Sequence, residues 1–426
     1  MKNTQISPFA ITGRGHSNYK IQKPIRLIEL FAGIGAQAKA LEKLHVNFEH
    51  YKICEFDKYA VASYNAIHNT NFATSDITQL HANDLEIVDT DKYEYILTYS
   101  FPCQDLSLAG KQQGMKKGTQ TRSGLLWEVE RLLKECKELP QVLLMENVPQ
   151  VHSSKNYEDF KEWQNFLSNL GYQNFWADLN AKNYGIPQNR NRTFMVSILG
   201  NSPYEFPEPF PLKLKLKDLL EDTVDEKYYL SEKQVNGIVN SSFTQKRNSI
   251  QNTECCGTLL ARDRHDPKCV AISSSSPIKE NTIKGYAITS YGDSVNLEQP
   301  NSKTRRGRVG FKVANTLTTN CNQGVVVNKD SENYIQWKQK GRFDISCRAY
   351  KEGKISGTVT TCEVMKILTN DLAIRKLTPK EYWRLMGFED EDFEKASKVN
   401  SNTQLYKQAG NSIVVNVLVE IFRQMF

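Results

Sequence analysis

Four short segments of this 426-residue chain carry residue types at spacings that chemistry can use. The first is Phe31-Ala32-Gly33-Ile34-Gly35, a glycine pair between an apolar run and a helical pattern. Glycines there let a ligand approach the backbone, although the same pair also makes a plain tight turn. The third glycine of a dinucleotide cradle and the lysine of a P-loop are both missing. Glu55 stands where an acid would accept hydrogen bonds from ribose hydroxyls, and Asp76 where one could hold an adenine amine. An adenosine ligand without a pyrophosphate fits this pattern, and S-adenosylmethionine is the natural candidate.

The second segment, Ser100-Phe101-Pro102-Cys103-Gln104, directly follows an apolar strand pattern. A cysteine at the carboxyl end of a sheet strand can be partly exposed and can ionise, whereas most cysteines fill cores. The third, Met145-Glu146-Asn147-Val148, puts a carboxyl group at another strand end. Burial would raise its pKa toward acid–base use; in water it is merely a solvated acid. The fourth is Gln188-Asn189-Arg190-Asn191-Arg192. Alternate residues of an extended segment share a face, so Gln188, Arg190 and Arg192 would point together, toward a phosphate, a carbonyl oxygen or solvent.

The elements that must position these groups alternate. Arg26 to Phe31, Tyr51 to Glu55, Tyr95 to Ser100, Val142 to Met145 and Thr193 to Leu199 read as strands. Ala36 to Leu44, Lys58 to His68, Leu125 to Cys136 and Tyr157 to Leu170 read as helices. This order predicts an α/β fold, a mostly parallel sheet with helices on both faces. Residues 1–24 read as a flexible arm. Four prolines between Asn201 and Pro211 mark a boundary. Beyond it, Ser, Thr, Asn, Gly and β-branched residues predict short strands and turns, with a weak repeat at Gly257-Thr258, Asn315-Thr316 and Gly357-Thr358. Helical pattern resumes at Thr378 to Met386, with Thr378 as N-cap, and again at Ser412 to Phe426.

Composition bounds the classes. Apolar residues are 39% and charged residues 24%, which excludes a disordered chain. No run approaches the roughly 20 apolar residues of a membrane helix, and the N-terminus has no apolar signal region. Nine cysteines without a CxxC pair argue against a disulfide framework or a structural zinc site, and a reducing, cytoplasmic location fits. The net charge is +7, yet Ser241 to Ile374 alone holds 20 basic against 12 acidic side chains. Such a patch suits a polyanion, most often nucleic acid, or is a solvated basic surface.

Taken in order, FAGIG, CEFDKYA, SDIT, SFPCQDLS, LLMENV, QNRNR, RKLTPKEYWRLMGF and QAGNSIVVNVL resemble the motif set of the DNA cytosine-5 methyltransferases, closest to the small enzymes of restriction–modification or phage type. The resemblance implies a Rossmann-like, S-adenosylmethionine-dependent domain built from residues 25–205 and 375–426. An inserted, mostly β or irregular target-recognition domain, 206–374, would face it across a cleft. It implies that Cys103 is the nucleophile, that Glu146 meets the ring nitrogen and amine of cytosine, that Arg192 binds the carbonyl oxygen, and that Arg190 supports the loop or a phosphate. For the cofactor it implies Phe31 and Phe56 about the adenine, Gly33 and Gly35 in the loop, Glu55 on the ribose, and Asp76 and Ile77 at the adenine edge. Pro102 and Leu125 would close the site, Asn411 would reach the methionine end, and no metal is implied.

Because a stacked base cannot reach a thiol, the cytosine must flip out of the duplex. The basic loop Gln104 to Gly124 would close over it, with Gln104 and Ser107 near the DNA. In the insert, Arg262, Arg264, Arg305, Arg306 and Arg308 are candidates for phosphate or guanine contacts. The expected partner is double-stranded DNA, with a cognate restriction endonuclease acting on the same site and a monomeric enzyme. A tRNA cytosine-5 methyltransferase and an inactive DNA-binding homologue are the rival readings.

Overall fold

The structure, a computed structural model, describes residues 19–103, 105–106, 114–118, 121–221, 224–225, 228, 250–251, 269–270, 275–282, 286–290, 293–296, 307–315, 323–328 and 372–426. Gln104, Ser107, Arg262, Arg264, Arg305 and Arg306 lie outside these residues, as do residues 1–18 of the expected arm and the Gly257 and Gly357 repeats. The chain divides into two compact units. One holds residues 1–186, 190–212 and 386–426, the other 187–189 and 213–385.

The first unit is built on a six-stranded sheet. In chain order its strands are β1 (Ile25–Leu30), β2 (Phe48–Cys54), β3 (Glu94–Tyr99), β4 (Val142–Asn147), β5 (Tyr172–Asn180) and β6 (Asn191–Leu199). They lie in the spatial order β2-β1-β3-β4-β6-β5. β1, β2, β3 and β4 pair in parallel, and β6 runs antiparallel to both β4 and β5. Helix α1 (Ala36–Lys43) follows β1, α2 (Lys58–His68) follows β2, α3 (Leu126–Glu135) precedes β4 and α4 (Tyr157–Asn169) follows it. Strand β5 is not foreseen from the sequence. Its YQNFWADLN mixes polar and aromatic residues, as suits an edge strand that is only partly covered.

Packing follows the sequence pattern. Leu97, Tyr99 and Met145 of the sheet share one core with Leu126 and Leu133 of α3 and with Trp163 of α4. The Trp163 indole donates to the Tyr99 hydroxyl at 3.1 Å, so a buried polar pair is satisfied inside this core. Helix α2 starts where the Asp57 side chain accepts from the Tyr59 amide at 2.9 Å, and ends at Asn69 in the left-handed region, φ 54°.

The C-terminal helices α5 (Asp390–Ser397), α6 (Asn402–Asn411) and α7 (Val415–Arg423) return to this unit. α7 packs on α1, and α5 on α2. Tyr19 to Pro24, expected to belong to a flexible arm, are instead tied down: the Ile21 amide donates to the Met425 carbonyl at 2.9 Å, and Tyr19 bonds to Glu94.

In the second unit, Ser294–Asn296, Val309–Gly310, Gln323–Asn328 and Leu372–Lys376 form an antiparallel sheet, and Ser275–Lys279 pairs with Tyr286–Ser290. Gln188–Asn189 pairs in parallel with Ala314–Asn315. The helix Pro379–Leu385 opens on a reciprocal cap. The Thr378 hydroxyl accepts from the Glu381 amide at 3.2 Å and the Glu381 carboxylate from the Thr378 amide at 2.8 Å.

The order of β1 and β3 in the sheet sets the site. Leu30 and Tyr99 are register partners, so the glycine loop and the cysteine loop leave adjacent strand ends, where the strand order reverses. Gly35 has φ +79°, and a Cβ on it would lie 2.3 Å from His68 Nε2 and 2.7 Å from the Tyr64 ring. Gly35→Ala therefore combines a left-handed backbone with overpacking, and should cost about 2–4 kcal/mol of unfolding free energy, measured by chemical denaturation.

Candidate active site

The glycine loop is held open by its neighbours' backbone chemistry. The Gly33 amide donates to Glu55 Oε2 at 2.9 Å, the Asp57 amide donates to Glu55 Oε1 at 2.7 Å, and the Ala32 amide reaches the Cys54 carbonyl at 3.1 Å. Burial raises the Glu55 pKa, and those two amide hydrogen bonds oppose it. Phe31 has φ 58°, a strained conformation for an aromatic residue and one that over-determined functional sites retain.

A Cβ on Gly33 would meet nothing within 4 Å, so this glycine, unlike Gly35, faces open space. The Phe56 ring is 79% exposed, an unusual surface position for so large an apolar group. Asp76 is exposed and accepts from the Thr78 amide at 3.0 Å and hydroxyl at 2.9 Å, while Ile77 beside it is buried. Open space, a half-buried carboxylate, an exposed ring and a second carboxylate are what an adenosine ligand requires. Pro102 and Leu125 are half-buried, and Asn411 is exposed at the end of α6.

Cys103 sits four residues beyond Tyr99, the last paired residue of β3, and is half-buried. Its loop is fastened at several points. The Leu106 amide donates to the Cys103 carbonyl at 3.0 Å, the Ser123 hydroxyl to the Pro102 carbonyl at 2.6 Å, and Asn147 Nδ2 to the Phe101 carbonyl at 3.0 Å. Asp105 accepts from the Arg122 amide at 2.7 Å and the Ser123 amide at 3.3 Å, which joins the cysteine loop to the start of α3. Asp105, Ser123 and Asn147 were not singled out from the sequence. Their signals were present as the acid of PCQDLS, the serine of TRSGLL and the asparagine of MENV.

The loop expected to be mobile is anchored in part. Lys117 pairs with Glu130 of α3 at 2.6 Å, and the Trp127 indole donates to the Met115 carbonyl at 2.7 Å. That commits one lysine of the basic loop expected to close over DNA.

Glu146, 8% exposed at the end of β4, pairs with Arg192: Nε lies 3.1 Å from Oε1. Burial raises the Glu146 carboxyl pKa, and Arg192 and Arg190 pull it back. Burial also pushes the Cys103 thiol above its ordinary value, helped by the Glu146 carboxylate and opposed by Arg192 and Arg190. Thiol, carboxyl and two guanidinium groups thus form one electrostatic cluster, in which the proton on sulfur depends on the charge of Glu146.

Arg190 and Arg192 take different hydrogen-bond partners. Arg190 is buried, and its Nη2 donates to the Gly410 and Ser412 carbonyls at 3.2 and 2.7 Å. Burial, followed by the Arg192 charge, draws its pKa down to about 9, which still leaves it cationic at neutral pH. It clamps the QAGNS turn and adds positive potential near Cys103. Gln188 Nε2 donates to the Leu385 carbonyl at 2.7 Å. Arg308, expected among the DNA contacts, is 1% exposed, with Nη1 donating to the Asn296 carbonyl at 3.4 Å. Its guanidinium is spent inside its own unit.

Comparison with known proteins gives this geometry its setting. The type II methyltransferase M2.ScrFI of Lactococcus lactis subsp. cremoris is 31% identical over 452 residues, spanning 94% of this chain and 99% of its own. The orphan methyltransferase M.SPRI of Bacillus phage SPR is 30% identical over 444 residues, spanning 94% and 97%. Among solved structures, the Entamoeba histolytica methyltransferase EhMeth matches over 95% of this chain and 98% of its own, with TM-score 0.57 and 16% identity, a likeness of fold. The profile of the C-5 cytosine-specific DNA methylases matches residues 25–426. The chain, an α/β protein whose parallel strands end in a cysteine, a carboxylate and a glycine loop, belongs to the C-5 cytosine-specific DNA methylase family.

Proposed function

We propose that this DNA cytosine-5 methyltransferase works through a covalent Cys103 adduct to a flipped-out cytosine in a short duplex site. The observation that carries the reading is the cluster of Cys103, Glu146 and Arg192, beside a glycine loop with open space over Gly33. Carbon 5 of cytosine is a weak nucleophile in an aromatic ring. Addition of the Cys103 sulfur to carbon 6 makes carbon 5 enamine-like and divides one hard step into easier ones. Glu146, its pKa raised by burial, carries a proton to the ring nitrogen, and Arg192 donates to the carbonyl oxygen where charge accumulates. When bound, S-adenosylmethionine supplies an electrophilic methyl group. Loss of the carbon 5 proton and release of the thiolate then restore the aromatic ring.

Residues 25–205 and 375–426 act as the catalytic domain and 206–374 as the target-recognition domain. Arg190 supports catalysis indirectly, through the Gly410–Ser412 turn that presents Asn411. Phe31, Gly33, Gly35, Glu55, Phe56, Asp76, Ile77, Pro102, Leu125 and Asn411 hold the adenosyl ligand. Gln104, Ser107, Arg262, Arg264, Arg305 and Arg306 meet the duplex, and no metal takes part in the chemistry. The enzyme acts as a cytoplasmic monomer, and no helix among the described residues is long and apolar enough to cross a membrane. Its role is modification of a site shared with a restriction endonuclease; the phage relative, named an orphan methyltransferase, favours solitary methylation as the second reading. Bisulfite sequencing of DNA from cells that express the chain reads both the reaction and the site.

Cys103→Ser should abolish methyl transfer and also abolish the covalent complex with a duplex whose target cytosine bears fluorine at carbon 5. Such a ring cannot shed its substituent, so the intact enzyme should be trapped on it; turnover by the serine variant would refute the adduct.

Glu55→Ala removes a charged acceptor for the ribose, a contact of about 1.5–3 kcal/mol, and should raise the KM for S-adenosylmethionine roughly 10- to 100-fold. The KM for DNA should stay nearly unchanged in steady-state assays.

Alkylation of Cys103, followed against pH by peptide mass spectrometry, should give an apparent pKa above the ordinary thiol value. Glu146→Gln should lower it, because a carboxylate that disfavours the thiolate is gone, and Arg192→Met should raise it. No change in either variant would sever the proposed coupling.

A further inference from the structure

Next to the glycine loop, three side chains from three successive elements of the first unit converge: Glu42 of α1, His50 of β2 and His68 of α2. One ligand atom from each lies within 4.8 Å of the others, and this is the one such cluster among the described residues. Glu42 Oε1 is 2.6 Å from His68 Nδ1 and 3.9 Å from His50 Nε2. We propose that Glu42, His50 and His68 form a binding site for a zinc-class divalent cation that fastens α1, β2 and α2 together beneath the cofactor loop.

Hydrogen bonding on the far side of each ring supports this assignment. The Tyr64 hydroxyl donates to Glu29 Oε2 at 2.5 Å, so its oxygen is left to accept, and His50 Nδ1 lies 3.2 Å from it. That arrangement puts the His50 proton on Nδ1 and turns the Nε2 lone pair toward the Glu42 carboxylate. Two acceptors facing one another are repulsive, and a cation between them satisfies both.

His68 Nε2 lies 3.3 Å from the Ile34 carbonyl, and its Nδ1 is hydrogen-bonded to Glu42 Oε1 at 2.6 Å, a hydrogen bond that the cation would replace. Metal-binding histidines characteristically have the second nitrogen fixed by a carbonyl or a carboxylate chain, as both do here. Lys39 lies 3.2 Å from Glu42 Oε2 and 2.8 Å from Asp392, which leaves Glu42 Oε1 for the cation. Two imidazoles and one carboxylate, with ligand atoms roughly 3.3 Å apart in an ideal tetrahedron, suit zinc and its spectroscopic substitute cobalt. The Glu42 side chain is 33% exposed and that of His50 is 20% exposed, so solvent can deliver an ion and occupy its remaining coordination. The His68 ring is also the group that a Cβ on Gly35 would strike. A metal holding that ring would stiffen the loop whose other glycine faces the cofactor space.

The test uses the full chain, stripped with a chelator and titrated with Co²⁺ and then Zn²⁺. Expected are about one equivalent bound, visible Co²⁺ bands of tetrahedral or five-coordinate type without a thiolate charge-transfer band, and a rise in Tm with Zn²⁺. His50→Gln, a partly exposed position, and Glu42→Gln should each weaken binding at least tenfold and abolish the Tm rise, with circular dichroism confirming that both variants fold. Tyr64→Phe, which removes the group that orients His50, should weaken binding roughly 10- to 100-fold. Three results would overturn the proposal: no saturable binding by the wild-type chain, a thiolate band, or His50→Gln and Glu42→Gln variants that bind as wild type does.

Discussion

A carboxyl group buried at the end of a strand is the constraint on which the rest of this active site depends. An unpaired buried carboxylate would be costly, so Glu146 either holds a proton or keeps a cation close. Arg192 at 3.1 Å supplies the cation, and it comes from β6, the antiparallel neighbour of β4. Burial holds the Glu146 carboxyl above its ordinary range, the two arginines oppose that, and its charge in turn raises the neighbouring thiol. The reversed strand therefore has a chemical consequence: it brings the start of β6 beside the end of β4, so Arg192 arrives where Glu146 finishes.

The second organising interaction joins the two ends of the chain. Arg190 donates to the Gly410 and Ser412 carbonyls, and Gln408 and Asn400 bind the Tyr59 carbonyl of α2 at 2.9 and 2.8 Å. Lys407 pairs with Asp57 at 2.8 Å, next to the exposed Phe56. Residues more than 200 positions apart thereby share one small surface. The carbonyls at a helix end need donors, and a buried guanidinium meets two of them at once. The QAGNS turn is fixed in the same act that brings positive charge toward Cys103.

Much of this could be read from the residues. The strands and helices through β4 follow from apolar runs and 3.6-residue periodicity, and the bounds of α2 agree with its pattern because Asp57 caps one end and Asn69 closes the other. β5 escaped because its alternation is blurred by edge exposure. Arg190 and Arg192, inferred to leave one face, both act on Glu146 and Cys103 but take different hydrogen-bond partners, for a physical reason. Alternation fixes which face a side chain leaves from, but a long flexible guanidinium goes to whichever acceptors it finds. Arg308 went the same way, drawn inward by the Asn296 carbonyl.

The sequence by itself determined the chemical inventory: a thiol after one strand, a carboxyl at the end of the next, a glycine pair after the first, and an ordered set of motifs that names the family. These are local facts, legible because strand ends and turns are written in neighbouring residues. Only the tertiary structure decided which charges meet. The coupling of Cys103 to Glu146, the work given to Arg190, the anchoring by Asp105 and Ser123, and the convergence of Glu42, His50 and His68 all join residues distant along the chain. Electrostatics and hydrogen bonding act over a few ångströms of space, and that proximity exists only once the sheet has set its strand order.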